Sequence, residues 1–336
     1  MALKAPRPCN LSMKMNRKKY ARSSRKRKVV IIGAGRVGTA LGLALKEKGY
    51  PIVGVGVVGA TGRSPLQSAR RGAKILQAPV FTPKPLDALK EAGIILITTP
   101  DREIEKVART LSRSGILTKE TLVIHTSGAF GVEILDPLKN FGVSHRMWTV
   151  PLRLAMHPLQ TFSKPITNYS ASGGPMTNFQ GCYFALDGNR KALRIGKKIV
   201  KDLGGIPIFI PGGKRVLYHT GASIASNYLV SLMDLALQVL EEIGISQKKG
   251  FNMLLPIIQG TLKNIEALGI PKALTGPIER GEVEVLKRQL SHVKKEMPES
   301  LLLFIELGKK TLALAKMKGS LSAKVEREIE RLLKNQ

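Results

Sequence analysis

The stretch VVIIGAGRVGTALGLALKEKG, residues 29–49, decides the fold. Four β-branched residues in a row read as a fully buried strand, and AGRVGTALGLALKEKG reads as a helix with a charged outer face. Between them Gly33, Gly35 and Gly38 spell GxGxxG. In that context Gly33 permits the tight turn, Gly35 lets the backbone approach a pyrophosphate, and Gly38 allows close packing of helix on strand. The helix N-terminus then faces the anion with its free amides. Gly33, Ala34, Gly35, Arg36, Val37 and Gly38 are therefore the expected phosphate-binding residues of a dinucleotide site.

Downstream, PIVGVGVVG is the next strand, and an acid to hold a ribose 2′-hydroxyl is expected near its end, roughly 20 residues past the loop. The text there is VVGATGRSPLQSARRG, with no acid. Arg63 and Ser64 suit a 2′-phosphate instead, which favours NADP(H) over NAD(H). Arg70 and Arg71 follow in the same helix, where a solvated face explains at least one of them. GIILITT and TLVIHTS are further strands, separated by the helix REIEKVARTL. Thr99 and Pro100 end the first of these strands, on the expected nicotinamide side, and Asp101 opens the helix.

The pattern loosens between about 140 and 180, where MWTVPLRLAMHPLQTF and SASGGPMTN read as strand fragments and loops. It recovers in GCYFALDG, the helix RKALRIGKKIVKDLG and the strand IPIFI. After Pro211-Gly212-Gly213 the text is helical, over about 215–244, 246–266, 282–295 and 299–316, with a charged final segment. Repeated strand-helix-strand units imply an α/β Rossmann domain, a doubly wound parallel sheet, followed by an all-α C-terminal domain. The expected division is a disordered basic arm over 1–27, the dinucleotide-binding domain over 28–211 and a helical substrate and dimerisation domain over 212–336.

The chain has 336 residues, is 43% hydrophobic and carries a formal charge of +30. Residues 1–28 hold eleven Lys or Arg and no acid, a composition that cannot bury enough surface to order itself. Nucleic acid is conceivable as a partner only through that segment, which has one aromatic, Tyr20, and no recognition module. Met13 and Met15 leave a later start open. The arm lacks the apolar run of a secretory signal, and a run of about 18 apolar residues is missing from the chain. A soluble, cytoplasmic protein without a membrane segment is expected. Cys9 and Cys182 are the only cysteines and the five histidines form no HExxH or tight cluster, so neither disulfide nor metal is expected.

HTSGA (125–129), HPLQTF (157–162), YHTGASIASNYLVSL (218–232) and LTGPIERGE (274–282), in this order, closely resemble the motifs of the bacterial Rossmann-like proteins that carry domain of unknown function number 2520. The resemblance runs from about residue 29 to 318. It implies an NADP-dependent oxidoreductase, similar in plan to pyrroline-5-carboxylate reductase, ketopantoate reductase and the 3-hydroxyacid dehydrogenases. By analogy with those enzymes it also implies a homodimer joined through the helical domain. Two positions depart from the family pattern: Glu282 stands where Asp is usual, and Gln289 where His is usual.

In the long helix after the glycine hinge, His219, Ser223 and Asn227 fall at i, i+4 and i+8, which places them on one face of a regular helix. Apolar residues surround them, so the helix is expected to be buried, and the polar stripe is either catalytic or paired with neighbouring loops. The resemblance to ketopantoate reductases suggests that His219 stands near the place of their lysine. Thr126, Ser127, Gly128 and His157 follow strands at their C-terminal ends, where ligands collect in such sheets, and are expected at the substrate. Arg280 would pair with an acidic substrate or form an interdomain salt bridge. The function expected is hydride transfer between NADPH and the C=O or C=N carbon of a small acid, a ketopantoate-like 2-oxo acid being the first candidate. The alternatives are a non-catalytic NADPH-binding regulator and a nucleic-acid-associated protein using the arm.

Overall fold

The computed structural model describes residues 26–57, 63–81, 87–140, 150–162 and 179–335. They form two compact units divided between Ser223 and Ile224, inside the helix that follows the glycine hinge.

The first unit runs β1 (Val29–Ile32), α1 (Arg36–Glu47), β2 (Ile52–Gly56), α2 (Arg63–Leu76), β3 (Val80–Phe81), α3 (Asp87–Lys90), β4 (Ile94–Ile97), α4 (Asp101–Arg113), β5 (Leu122–His125), β6 (Leu152–Pro158), β7 (Tyr183–Gly188), α5 (Arg190–Asp202), β8 (Ile206–Phe209) and α6 (Arg215–Ser223). The strands make one sheet in the order β3-β2-β1-β4-β5-β6-β7-β8. Side chains alternate across a strand, so Val29 and Ile31 enter the layer beneath α1, α2 and α5, whereas Val30 and Ile32 enter the layer beneath α4. With both faces covered, β1, β4 and β5 are wholly buried, as parallel sheets require.

The chain order reverses on either side of β1, which pairs with β2 on one edge and β4 on the other. This is the switch point at which open α/β sheets take their ligands. The expected parallel sheet holds through β6. There it differs: β7 runs antiparallel to β6, with His157 opposite Ala185, and β8 is parallel to β7. The expected strand fragments include one regular seven-residue strand, β6; residues 163–178, with the SASGGPMTN stretch, lie outside the described residues.

Residues 1–25 of the expected arm are also outside the described residues. Lys26 and Arg27, expected within it, are held by the sheet unit. Lys26 pairs with Asp202 and lies over the Tyr50 ring, 4.6 Å from its centroid, while Arg27 donates to the carbonyls of Glu120 (2.5 Å) and Gly93 (3.4 Å).

The second unit is helical: a π turn (Ile224–Tyr228), α7 (Leu229–Glu241), α8 (Gln247–Leu268), α9 (Pro277–Arg280), α10 (Val283–Glu296), α11 (Leu301–Lys318) and α12 (Ala323–Lys334). The charged final segment is thus a helix, capped by the Ser322 side chain. The core of this unit is Leu286, Leu290, Ile305, Leu312, Ile329 and Leu333, drawn from α10 to α12. The expectation of a buried helix after the hinge is corrected: α7 has no buried residue, and Arg215 alone is buried in α6. By length and composition the stretch Gly212–Glu241 would reach across a membrane.

Candidate functional site

The glycine loop is built as its spacing requires. Gly33 has φ +89°, and a Cβ there would lie 2.8 Å from the backbone nitrogen of Thr99. A Cβ on Gly38 would overlap Thr98 Oγ1 and sit 2.7 Å from the Gly33 carbonyl. Thr98 laces the loop to β4, its hydroxyl donating to Gly33 O at 2.6 Å. Ala34 is buried and its carbonyl accepts from the hydroxyls of Thr39 and Ser68, both at 3.3 Å, which ties α2 to the loop. Val37 packs against the core, and Arg36 Nη1 donates to Phe162 O at 3.4 Å.

Gly35 behaves differently from its two partners, because among the described residues a Cβ there would meet nothing within 4 Å. Those residues leave its surroundings open where a pyrophosphate would lie. Gly35 is the N-cap of α1, which has no side-chain cap and no acid in its first turn, so the leading amides are left for an anion. At the end of β4 the Thr99 hydroxyl is buried without a hydrogen-bond partner among the described residues, and Pro100 is the N-cap of α4. An open glycine cradle, an uncapped helix start and an orphaned hydroxyl beside them fit a dinucleotide. Arg63 and Ser64 open α2; their side chains lie outside the described residues.

At the C-terminal ends of β5 and β6 the structure gathers imidazoles. His125 is buried and fully used: its Nδ1 accepts from Ser127 N at 3.3 Å and Nε2 donates to Gly131 O at 3.0 Å. Burial, reinforced by the charge of Arg215, pushes its pKa down to about 3. Ser127 is equally committed, donating to Asp101 Oδ2 at 2.9 Å and accepting from Ala129 N and Phe130 N. It therefore clasps the loop after β5 to α4. Thr126 is half-buried beside it.

Gly128 and His157 do come together. A Cβ on Gly128 would stand 2.9 Å from His157 Nε2 and overlap His219 Cδ2, and the two rings lie edge to face with centroids 5.8 Å apart. His219 thus meets the loop after β5 and the end of β6. Ser223 is half-buried and Asn227 exposed. The π turn intervenes, so the roughly 100° per residue that aligned Asn227 with His219 does not carry across it. Arg280 is exposed and spoken for within its own unit, its Nε and Nη2 binding Glu282 at 2.7 and 3.1 Å.

Four residues here escaped the sequence. Arg215 is fully buried, with Nη2 donating to Ala185 O at 3.1 Å while Nε and Nη1 have no partner among the described residues. Glu133 and Asp187 lie close by, held by the amides of Gly131 (2.9 Å) and Val132 (2.8 Å). Tyr218 places its hydroxyl 2.9 Å from His157 Nδ1. The signal for Arg215 was its position, three residues before Tyr218 at the start of an apolar helix, but beside Lys214 it reads as one more solvated cation.

A nucleotide-type loop at a sheet switch point, an imidazole cluster on the next strands and a helical unit after them define a Rossmann-like protein with a C-terminal helical domain. Residues 13–158 match the family model described as a Rossmann-like domain, and residues 182–311 match the Domain of unknown function (DUF2520). The two matches follow one another in the order that the motifs implied. No curated protein is significantly similar to it.

Among solved structures it is similar to a Bacteroides fragilis protein provisionally named an NADP oxidoreductase, with TM-score 0.64 and 22% identity over 85% of this chain and 98% of that one. It is also similar to protein TM1727 of Thermotoga maritima, with TM-score 0.61 and 21% identity over 86% and 99%. A pyrroline-5-carboxylate reductase of Coxiella burnetii follows, with TM-score 0.51 and 13% identity over 91% and 98%. At such identities the likeness shows the fold.

Proposed function

We propose that the protein is an oxidoreductase that binds NADP(H) at the glycine loop and moves a hydride between it and the C=O or C=N carbon of a small acid, a ketopantoate-like 2-oxo acid being the first to try. The observation that carries this reading is the open cradle at Gly35, on an uncapped helix start beside the unpartnered Thr99 hydroxyl. The names of the similar structures, an NADP oxidoreductase and a pyrroline-5-carboxylate reductase, support it.

Gly33 to Gly38 hold the pyrophosphate, Arg63 and Ser64 the 2′-phosphate, and Thr99 with Pro100 the nicotinamide side. When bound, the cofactor supplies the hydride. His219, with Ser223 further along the same helix, donates hydrogen bonds to the acceptor atom as its charge develops, and Thr126, Gly128 and His157 line the substrate. A second copy of the chain covers the apolar residues exposed on α7 and α8, making a homodimer.

The decisive experiment is a comparison of NADPH and NADH dissociation constants in wild type and Arg63→Ala. Tighter NADPH binding that is lost in the variant is expected. Equal wild-type affinities, or a preference that the variant keeps, would remove the 2′-phosphate assignment, and failure to bind either nucleotide would remove the function.

A further inference from the structure

His157 sits at the C-terminal end of β6, and everything packed around it bears on where its one proton lies. Its Nδ1 is 2.9 Å from the Tyr218 hydroxyl, with the two rings edge to face at 5.7 Å. Arg215 precedes Tyr218 by three residues and is fully buried. A fixed guanidinium in a site withdrawn from water makes a second cation there costly. Burial, then the charge of Arg215, then His219, bring the His157 pKa down to about 4, so the imidazole is neutral at physiological pH. Glu133 and Asp187 lie near Arg215, and their carboxylates are engaged by backbone amides.

Neutral imidazole has one donor and one acceptor nitrogen, and the partner of one decides the state of the other. Arg215 also acts on Tyr218. A phenol oxygen beside a cation turns its lone pairs toward that charge and its proton away, here toward His157 Nδ1. With Nδ1 accepting, the proton of His157 is on Nε2. That nitrogen faces Gly128, where even a methyl group would stand 2.9 Å from it. The missing side chain at Gly128 lets the loop close against this nitrogen, and the His157 side chain stays partly exposed.

We propose that His157 is a neutral hydrogen-bond donor whose Nε2–H, over Gly128, binds the oxygen on which negative charge grows during reduction, with Tyr218 as the positioning residue that fixes this tautomer. The proposal rests on the oxidoreductase reading and narrows it to carbonyl substrates. Hydride from NADPH adds to the carbonyl carbon, the C=O π pair moves to oxygen, and that oxygen takes its proton from His219 or solvent, leaving an alcohol and NADP⁺. A protonated imine offers Nε2–H no lone pair to accept from, so C=N substrates gain nothing from this donor. A neutral imidazole in the role of electrophile is sound chemistry, since it loses no proton and needs none back.

The test uses the full chain labelled with ¹⁵N-histidine, His157 being assigned by the signal lost in His157→Gln. At pH 7 the wild type should show a neutral ring with Nε2 protonated, and Tyr218→Phe should show a mixture of both tautomers. An imidazolium, or an Nδ1–H ring, in the wild type overturns the proposal whether or not NADPH binds. Failure of NADPH to bind instead overturns the functional reading.

Oxamate, a stable mimic of a 2-oxo acid, added to the NADPH complex should move the His157 Hε2 resonance downfield in wild type and leave it in place in Gly128→Ala. A resonance that stays put in wild type rejects the donor role. With a turned-over 2-oxo acid, His157→Ala should lower kcat roughly 10²–10³-fold with NADPH affinity unchanged. Faster turnover of cyclic imines than of 2-oxo acids by the wild type would reject the carbonyl assignment.

Discussion

The two units of the chain solve burial differently. In the sheet unit Val30, Ile31, Ile32, Leu41, Ile95 and Leu96 are completely enclosed, because helices cover both faces of β1 and β4, which are apolar throughout. In the helical unit α7 has nine apolar residues among its thirteen, in LVSLMDLALQVLE, and none is buried. Val230 and Ile243 are each 69% exposed, and Ile257 on α8 is 66% exposed. An apolar patch of this extent is unusual on a lone soluble chain, and the homodimer proposed above would cover it. One unit encloses the middle of its sheet, although β8 stays exposed, and the other closes only its α10–α12 half.

The sharpest way to break that comparison is to charge the open face. Wild type should sediment at twice the 36.6 kDa chain mass, and the double variant Val230→Glu/Ile257→Glu at the single mass. Ile31→Ala, inside the sheet, should instead keep the assembly and cost about 2–5 kcal/mol in denaturant unfolding. A wild type that sediments as one chain at micromolar concentration would show that the helical face stays open.

The next effect belongs to acid. His125 and His157 have folded pKa values near 3 and 4, below the roughly 6.5 of an unfolded histidine. Between pH 6.5 and about 4 the unfolded chain therefore binds more protons, so stability falls on acidification and levels off below the folded values. The loss for the two together should be on the order of several kcal/mol. Urea midpoints at pH 7.5 and 4.5 read it, and His125→Gln should flatten the dependence. An unchanged slope in that variant would place the acid sensitivity elsewhere.

Smallest is the difference between two helix caps, one in each unit. Asn189 Oδ1 accepts from Ala192 N at 2.9 Å, whereas Ser322 Oγ accepts from Val325 N at 3.5 Å. Asn189→Ala should cost about 1 kcal/mol and Ser322→Ala less. Equal costs, measured by denaturant titration, would mean that bond length does not separate the caps.

The glycine loop and the strands β1, β2, β4 and β5 were legible because their causes are local: a β-branched run, a 2-residue or 3.6-residue period, a glycine where φ is positive. β6 was less so, since Arg153, His157 and flanking prolines interrupt its alternation, and its antiparallel partner β7 lies beyond a stretch with no clear period. At the site, HTSGA and HPLQ led to Gly128 and His157, which do meet. Ser127 was misleading, because a hydroxyl in a ligand-facing loop looks free until Asp101 and two amides are seen to occupy it. Arg215 was invisible, since only tertiary packing separates a buried guanidinium from the surface cations of so basic a chain. The Asn227 alignment failed for a geometric reason, the π turn, which leaves no mark in apolar periodicity over five residues.

That turn has a consequence for how such a chain can change. A π turn holds one residue more than the α-helical segment it replaces. Losing one residue between Ile224 and Tyr228 would let a plain α-helix take its place while α7 keeps its facing. Losing a second would turn every later side chain of α7 about the axis by about 100°. The turn is thus a spare link, a length that can be given up once before the face of the helix moves.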